Sequence, residues 1–306
     1  MKLFILGNGF DIAHNLPTKF KHFKEYLKKE SKGQKNFFPS TYMGKDGGTL
    51  VERTSLIAFI IELVNSATES DWCDFEEAMG QFDYEMYIED FDIDDEYDDN
   101  PFHAIYNRED MASELRFCVP LLRDLFHEWI LTIDTDVAPT NFANLISNKD
   151  LVLTFNYTDT LEKTYEIEQC NVCHIHGSQD SEIVVGHGKE ENPYEEESMR
   201  YLGAQETFFD LFEDFKKDTQ ACFSRHIDFF NTVAKSQITD IYSYGFSFST
   251  PDLLYITKLC ELCDTSKMIW HLSDFDSEQK KCEYRQIITG CGFKGTFGEH
   301  MPIIKY

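Results

Sequence analysis

The sequence lacks any long hydrophobic run. No stretch approaches the roughly 20 consecutive apolar residues that a membrane-spanning helix needs. The first apolar run, at residues 3–6, is too short for the core of a signal peptide, and a glycine loop interrupts it at once. We therefore expect a soluble cytoplasmic protein that does not act at a membrane.

Basic residues are scarce. The chain has 28 Lys and Arg against 55 Asp and Glu, a formal net charge of -27. Such a surface repels the phosphate backbone of nucleic acids and anionic lipid, so we expect neither as a partner. A small anion can still bind locally, because backbone N–H groups at a helix N-terminus attract it. The charge therefore leaves a nucleotide ligand open.

The cysteines do not form an evident disulfide or zinc framework. There are nine, an odd number scattered through predicted strands and helices, which is typical of a reducing compartment. Cys170, Cys173, Cys260 and Cys263 together have the ligand count of a zinc site. However, Cys173 leads into a predicted buried strand, and the spacing of Cys260 and Cys263 on a predicted helix is ordinary core packing. We expect no bound metal.

What the sequence does contain is an alternation of short apolar runs with helical patterns. Its 306 residues, 42% hydrophobic, suffice for a sizeable core. The alternation predicts an α/β fold with a Rossmann-like, mostly parallel sheet and helices on both faces. The predicted strands lie at about 2–6, 151–154, 172–175, 183–185, 239–244 and 267–272, and the main predicted helices at 205–236 and from Thr18 and Pro251.

Between the first two strands the pattern is different. Residues 31–49 are typical of a loop, and residues 50–135 are predicted as helices broken by a strongly acidic segment at 83–99. We interpret 50–135 as a helical insertion or cap within one α/β domain that spans residues 1–306. Like-charge blocks are usually solvated or disordered, and the carboxylates at 83–99 lack an ordered metal-ligand spacing.

The loop after the first predicted strand suits a phosphate. In open α/β sheets, ligands bind beyond the carboxyl ends of the strands. Residues 7–11 read Gly-Asn-Gly-Phe-Asp, and Pro17 and Thr18 precede a helix. The two glycines let the backbone approach a pyrophosphate, and the helix N-terminus adds positive potential. Because Ile12 takes the place of a third glycine, a tight structural turn explains the loop equally well.

Candidate catalytic side chains come after the next two predicted strands. The Asn156 amide can donate and accept at once, which suits a ribose hydroxyl or a water molecule, although Asn156 can also simply shape the turn. His174 and His176 lie on the same face of a strand. His176, at the strand end before Gly177, is suited to proton transfer near neutral pH, whereas we interpret His174 as a core histidine.

Two further loops and one helix carry polar candidates. His187 stands between two glycines after the predicted strand at 183–185. In residues 245–252, a glycine turn precedes a predicted helix, and Ser247 and Ser249 can face a phosphate or ribose. Glu76 and Glu77 lie on a predicted helix, where they form either a solvated face or a hydrolase site with His187.

Taken together, these loops resemble the AbiH family of bacteriophage abortive infection proteins. The resembling stretches are GNGFDIAHNLPTKF at 7–20, DWCDFEEAMG at 71–80, LTFNYTDTLEKTY at 153–165, HIHGS at 174–178, VVGHG at 184–188 and YGFSFSTPD at 244–252. A more distant resemblance is to sirtuin-like NAD-consuming domains, on Gly7, Gly9, Pro17, Asn156 and the His176-Gly177 pair. Residues 18–20 replace the Asp-Phe-Arg of deacylating sirtuins, so NAD cleavage is expected rather than protein deacylation.

The resemblance implies an antiphage abortive-infection effector. Its expected substrate is NAD or a related nucleotide, which it would hydrolyse. Asn156 would position water and the ribose hydroxyls, and His176 would act as general base. A phage-derived trigger, a partner protein and a homo-oligomer are compatible with this role. The alternatives are a non-catalytic nucleotide sensor or interaction module, and a nucleotide hydrolase that uses Glu76 or Glu77 with His187. The residues assigned to the nucleotide are Gly7, Asn8, Gly9, Phe10, Asp11, Pro17, Thr18, Gly186, His187, Gly245, Ser247 and Ser249.

Overall fold

A computed structural model describes residues 1–34, 38–67, 75–89, 101–195 and 201–306. Most of the predicted acidic loop, residues 90–99, lies outside this part of the chain, as do residues 71–74 of one resembling stretch. The strands are β1 Lys2–Leu6, β2 Thr41–Met43, β3 Thr49–Val51, β4 Leu151–Thr154, β5 Val172–His174, β6 Asp240–Tyr244, β7 Ile269–His271 and β8 Thr296–Phe297.

Six of these strands form one sheet in the order β5-β4-β1-β6-β7-β8, and every neighbouring pair is parallel. Numbered along the chain within the sheet, this is the 3-2-1-4-5-6 order of Rossmann-type folds. The predicted α/β class with a parallel sheet is confirmed. β2 and β3 form a separate antiparallel hairpin.

The chain divides into two compact units. Unit 1 comprises Met1–Lys19, Ile130–Val184 and Asp218–Tyr306 and contains the whole parallel sheet. Unit 2 comprises Phe20–Trp129 and Val185–Lys217. The predicted single domain with an insertion at 50–135 stays a prediction.

The α-helices are α1 Asn8–Ala13, α2 Phe20–Glu30, α3 Arg53–Ala67, α4 Phe75–Met79, α5 Met86–Glu89, α6 Pro101–Cys118, α7 Leu121–Leu131, α8 Thr160–Tyr165, α9 Gln205–Asp214, α10 Thr219–Arg225, α11 Ile227–Lys235, α12 Leu253–Leu262 and α13 Glu278–Gly290.

Both faces of the parallel sheet are covered. Along β1, Leu3 and Ile5 pack into one core cluster, and Phe4 and Leu6 pack into another, as the alternation of side chains in a strand requires. The first cluster contains side chains of α11, α12 and α13, and the second contains side chains of α1 and α8. Full burial of a Leu, Ile or Phe side chain contributes roughly 1.5–3 kcal/mol, so these contacts fix the strand positions firmly.

Several predicted elements are wrong in detail. The helix predicted from Thr18 begins at Phe20, and the glycine loop itself opens the separate helix α1. The pattern at 205–236 is three helices rather than one. After α9, the backbone of Phe215 and Lys217 exchanges hydrogen bonds with His187, and His226 separates α10 from α11. The hairpin of β2 and β3 lies partly in the predicted loop at 31–49, and β8 was not predicted.

The strand predicted at 183–185 is also wrong. Its residues turn back over the preceding loop: the Val184 N–H donates to the His176 carbonyl, and the Tyr157 hydroxyl donates to the Val184 carbonyl over 3.2 Å. Gly177 permits this turn with a φ of 87°. A Cβ there would clash with the Glu182 carbonyl, so the return path requires glycine.

Candidate active site at the carboxyl ends of the strands

The loops after β1 and β6 meet where the strand order reverses. The Gly7 N–H donates to the Tyr244 carbonyl over 3.1 Å, and the Gly9 N–H donates to the Gly245 carbonyl over 3.2 Å. A Cβ on Gly7, Gly9 or Gly245 would clash with the backbone of the facing loop, and Gly245 has a φ of 62°. Close packing therefore accounts for these glycines, and phosphate binding at them stays a prediction.

The loop after β4 places Asn156 beside α1. Its backbone N–H donates to Thr154 Oγ1 over 3.1 Å, and its carbonyl accepts a hydrogen bond from His174 Nδ1 over 3.0 Å. Its side-chain Nδ2 donates to Asp11 Oδ1 over 3.2 Å. With only 6% of its surface exposed, Asn156 is held through both its backbone and its amide.

Asp11, on α1, is a buried carboxyl group with 2% of its surface exposed. Its Oδ2 accepts a hydrogen bond from Thr158 Oγ1 over 2.7 Å. Burial raises the pKa of Asp11 to about 7, against the opposing effects of the Thr158 and Asn156 hydrogen bonds and the charge of His174. This carboxyl group is thus poised to change its charge near neutral pH.

His174 bridges the Asn156 loop and α8. Its Nε2 lies 2.9 Å from Glu162 Oε1, and its Nδ1 faces the Asn156 carbonyl. A carbonyl and an ionised carboxylate can only accept, so this arrangement suits an imidazolium that donates from both nitrogens. Burial lowers the pKa of His174, but the hydrogen bond and charge of Glu162 and the Asn156 carbonyl outweigh it, and the pKa is raised overall. His174 therefore supports the Asn156 backbone.

His176 lies in a buried polar group beyond β5. Its side chain is 3% exposed, and its Nε2 is 3.1 Å from the Tyr255 hydroxyl and 3.6 Å from Asp252 Oδ1. Ser249 Oγ donates to Asp252 Oδ2 over 3.0 Å. A carboxylate beside an imidazole stabilises the imidazolium that forms when the ring takes up a proton, which is what a general base needs.

Aromatic rings connect His176 to the neighbouring loops. Phe155 lies edge-on to the His176 ring at 5.5 Å and stacks on Phe246 at 4.3 Å between centroids. Phe155 precedes Asn156, and Phe246 comes directly after Gly245. Four loops are therefore brought together at the carboxyl ends of the parallel strands: residues 7–11, 155–159, 176–178 and 245–250.

The other residues assigned to a ligand in unit 1 have separate roles or positions. Asn8 Nδ2 donates to the Thr18 carbonyl over 3.1 Å and so closes the loop onto itself. The Phe10 side chain is wholly buried in the core, and a contact between this residue and a ligand stays a prediction. Pro17 and Ser247 are exposed, and Ser249 holds Asp252.

Within unit 2, His187 is fixed by its own surroundings. Its Nε2 lies 2.9 Å from the Phe212 carbonyl, and its Nδ1 accepts the Lys189 N–H over 3.2 Å. Burial lowers its pKa, so a neutral ring with both nitrogens engaged is favoured. Gly186 is packed so tightly that a Cβ would clash with the Phe215 carbonyl. These two residues come after no strand, contrary to the sequence pattern, and their contacts are structural.

The two glutamates of the alternative hydrolase site lie on α4. Glu76 Oε1 forms an ion pair with the buried Lys217 Nζ at 2.5 Å, and Glu77 is exposed and accepts a hydrogen bond from Gln81 over 3.4 Å. The ion pair with a buried lysine has a structural role, because the loss of either partner would leave an uncompensated charge inside the protein. The helix therefore gives this alternative no added support.

In the ranges that the structure describes, no group of three or more His, Cys, Asp or Glu side chains is arranged to hold a metal ion. Burial raises the pKa of Cys173 and that of Cys260 to about 12. The expectation that these cysteines bind no metal stays a prediction. No helix among the same residues is long and apolar enough to cross a membrane.

The fold and the site define an α/β protein of the Rossmann type with a candidate active site at the carboxyl ends of its parallel strands. Residues 3–274 match the family model of the bacteriophage abortive infection protein AbiH, and the chain belongs to the AbiH family. This confirms the resemblance seen in the sequence motifs and indicates a role in abortive infection by phage. Neither the curated proteins nor the solved structures contain a match to the chain.

Proposed function

We propose that this protein is an antiphage abortive-infection effector that hydrolyses NAD, or a related nucleotide, with Asn156 and His176. The observation that carries the proposal is the group formed by His176, Asp252 and Tyr255 at the carboxyl ends of the strands, where the Asn156 loop also lies. Membership of the AbiH family supports the defence role. The resemblance to sirtuin-like domains suggests NAD as the substrate.

The reaction needs a positioned water and a proton acceptor. Departure of nicotinamide breaks the N-glycosidic bond, and the nitrogen keeps the electron pair, so the ribose develops oxocarbenium character. Water then forms the new C–O bond, and its proton passes to His176. Asn156 would orient the water or a ribose hydroxyl, since its amide can both donate and accept. The products are nicotinamide, ADP-ribose and a proton.

One observation favours a second candidate, a nucleotide sensor without turnover. Asn156 and His176 are 6% and 3% exposed, so a substrate can reach them only after the residues that cover them move. A buried site of this kind suits a protein that binds a nucleotide in one state and engages a partner in another. Turnover separates the two candidates.

The test is release of nicotinamide from NAD by the purified protein. Asn156→Ala should remove most turnover, and His176→Ala should lower it by roughly 10²–10⁴-fold. Asn144→Ala, at an exposed position in unit 1, is the matched control and should keep wild-type activity. Thermal melting of each variant checks that folding is intact.

The same variants should be compared in phage-infected bacteria, where the NAD content of the cells is measured after infection. Wild type and Asn144→Ala should deplete NAD, and the other two variants should not. NAD binding without nicotinamide release in either setting would support the sensor, and absence of both binding and release would contradict the proposal.

A further inference from the structure

The amide of Asn156 is attached to a buried carboxyl group. Asn156 Nδ2 donates to Asp11 Oδ1 over 3.2 Å, and Thr158 Oγ1 donates to Asp11 Oδ2 over 2.7 Å. Thr160 Oγ1 in turn donates to Thr158 Oγ1 over 3.1 Å, which commits the Thr158 proton to Asp11. Both oxygens of Asp11 therefore act as acceptors in this arrangement.

This contact determines which end of the Asn156 amide is presented away from Asp11. The amide is planar, so when its N–H group points at the carboxylate, its carbonyl oxygen is turned elsewhere and can accept a hydrogen bond. An ionised carboxylate can only accept, which favours this orientation. A protonated carboxyl group gains one O–H donor, and its donation to Asn156 requires a half-turn of the amide that brings Asn156 Oδ1 to Asp11.

We propose that Asp11 is a positioning residue that orients the Asn156 amide, and that protonation of its carboxyl group switches the site off. The inference rests on the proposed reaction at Asn156: the ionised form leaves the Asn156 carbonyl oxygen to accept a ribose hydroxyl or water, and the protonated form withdraws it. Asp11 thus acts through Asn156 rather than by contacting the nucleotide.

The charges and hydrogen bonds around Asp11 determine the pH at which its carboxyl group changes its charge. His174 on β5, paired with Glu162 of α8, favours the ionised form, and Asp159 disfavours it. Thr158 and Asn156 donate hydrogen bonds that also favour the ionised form. The balance with burial gives Asp11 a pKa of about 7.

The first test does not require turnover. The protein is labelled with ¹⁵N-asparagine, and the side-chain signal of Asn156 is assigned by its loss in Asn156→Ala. The pH is then varied from about 5.5 to about 8.5, which covers both sides of the pKa of Asp11. The signal should show a titration step in wild type that is missing in Asp11→Asn, where the remaining change with pH comes from His174. Thr158→Val removes a hydrogen bond that lowers the pKa of Asp11 and should move the midpoint up, whereas Thr158→Ser, which keeps the hydroxyl, should not. A signal that behaves alike in wild type and Asp11→Asn would overturn the inference.

The second test measures nicotinamide release across the same range. Asp11→Asn should lower kcat by roughly 10²-fold with little change in KM, since misorientation of a positioned group has effects of that size. Thr158→Val should move the pH profile up in wild type and leave the profile of Asp11→Asn unchanged. Full activity in Asp11→Asn refutes the role of Asp11 and leaves NAD hydrolysis standing. A titrating Asn156 signal without nicotinamide release refutes NAD hydrolysis and retains Asp11 as the group that orients Asn156.

Discussion

Gly9 donates its backbone N–H to the carbonyl of Gly245 over 3.2 Å, and neither residue has room for a Cβ against the other. This contact joins the loops after β1 and β6, the two strands between which the order of the sheet reverses. The glycines that suggested a phosphate loop in the sequence thus have a demonstrable packing role. Ligand binding beyond these strands has to be compatible with that contact.

Replacement of Gly9 should therefore destabilise the fold. Gly9→Ala introduces a Cβ against backbone atoms that cannot rotate away, and overpacking of this kind costs about 1–3 kcal/mol. Gly290→Ala is the matched control, because a Cβ there meets open space at the end of α13, and it should be neutral or slightly stabilising. Thermal melting measures both. A Gly9→Ala variant that melts with wild type would show that the loops can separate without cost.

The fold was predictable where apolar runs are long enough to span a strand. The sequence predicts β4, for example, because residues 151–154 form an apolar run that matches the strand in length. The run at 183–185 is also apolar, but the backbone N–H of Val184 donates to the His176 carbonyl, and its carbonyl accepts from the Tyr157 hydroxyl, 27 residues away in the chain. Such long-range pairing leaves no mark on composition, so no periodicity could have excluded a strand there.

Asp252 should matter for the reaction because it lies beside His176. Asp252→Asn keeps the size of the side chain but removes the charge that would stabilise a protonated His176, so turnover should fall by roughly 10²-fold with folding nearly intact. Asp228→Asn, at an exposed position on α11, is the control for loss of one negative charge. The measurement is kcat for nicotinamide release. Equal activity in the two variants would remove Asp252 from the site.

The site was predictable only in part, because a sequence motif identifies the residues after a strand but not their partners across the fold. Asn156 and His176 stand two residues after the ends of β4 and β5, and the sequence singles them out on that ground. Tyr255 lies on a helix, and nothing local distinguishes it from other helical residues. Asp252 belongs to the motif at 244–252 and stands three residues after Ser249. This spacing suits the hydrogen bond that the two side chains form. That spacing was the one local signal for Asp252.

Asp11 should make the protein less stable as the pH rises. Its pKa is raised to about 7 in the folded state, whereas an unfolded aspartate titrates near pH ~4. Between these values the unfolded chain releases a proton that the folded protein retains, so the free energy of unfolding falls, and above pH ~7 the cost is constant. Asp11→Asn cannot ionise, and relative to wild type it should gain roughly 4 kcal/mol between pH ~4 and pH ~7.

Urea denaturation of wild type and Asp11→Asn at several pH values measures this difference, with Asp228→Asn as the exposed control. The expected result is a stability gap that changes in favour of Asp11→Asn as the pH rises and then levels off. A gap that is the same at every pH would mean that Asp11 titrates like an exposed aspartate.

His174 and Glu162 predict the opposite pH dependence. The pKa of His174 is raised in the folded protein, so its pairing with Glu162 contributes stability that is fully present below pH ~6.5 and is lost as the pH rises through the folded pKa. Glu162→Gln should therefore lower the free energy of unfolding by roughly 1.5–3 kcal/mol near pH ~6, the usual worth of a hydrogen bond to a charged group, and by less near pH ~9. Glu261→Gln is the matched control, because its ion pair with Lys258 is largely exposed and contributes little at either pH. Denaturant unfolding of the three proteins at both pH values decides the matter. Equal losses for Glu162→Gln at the two pH values would show that His174 is not the protonated partner in this pair.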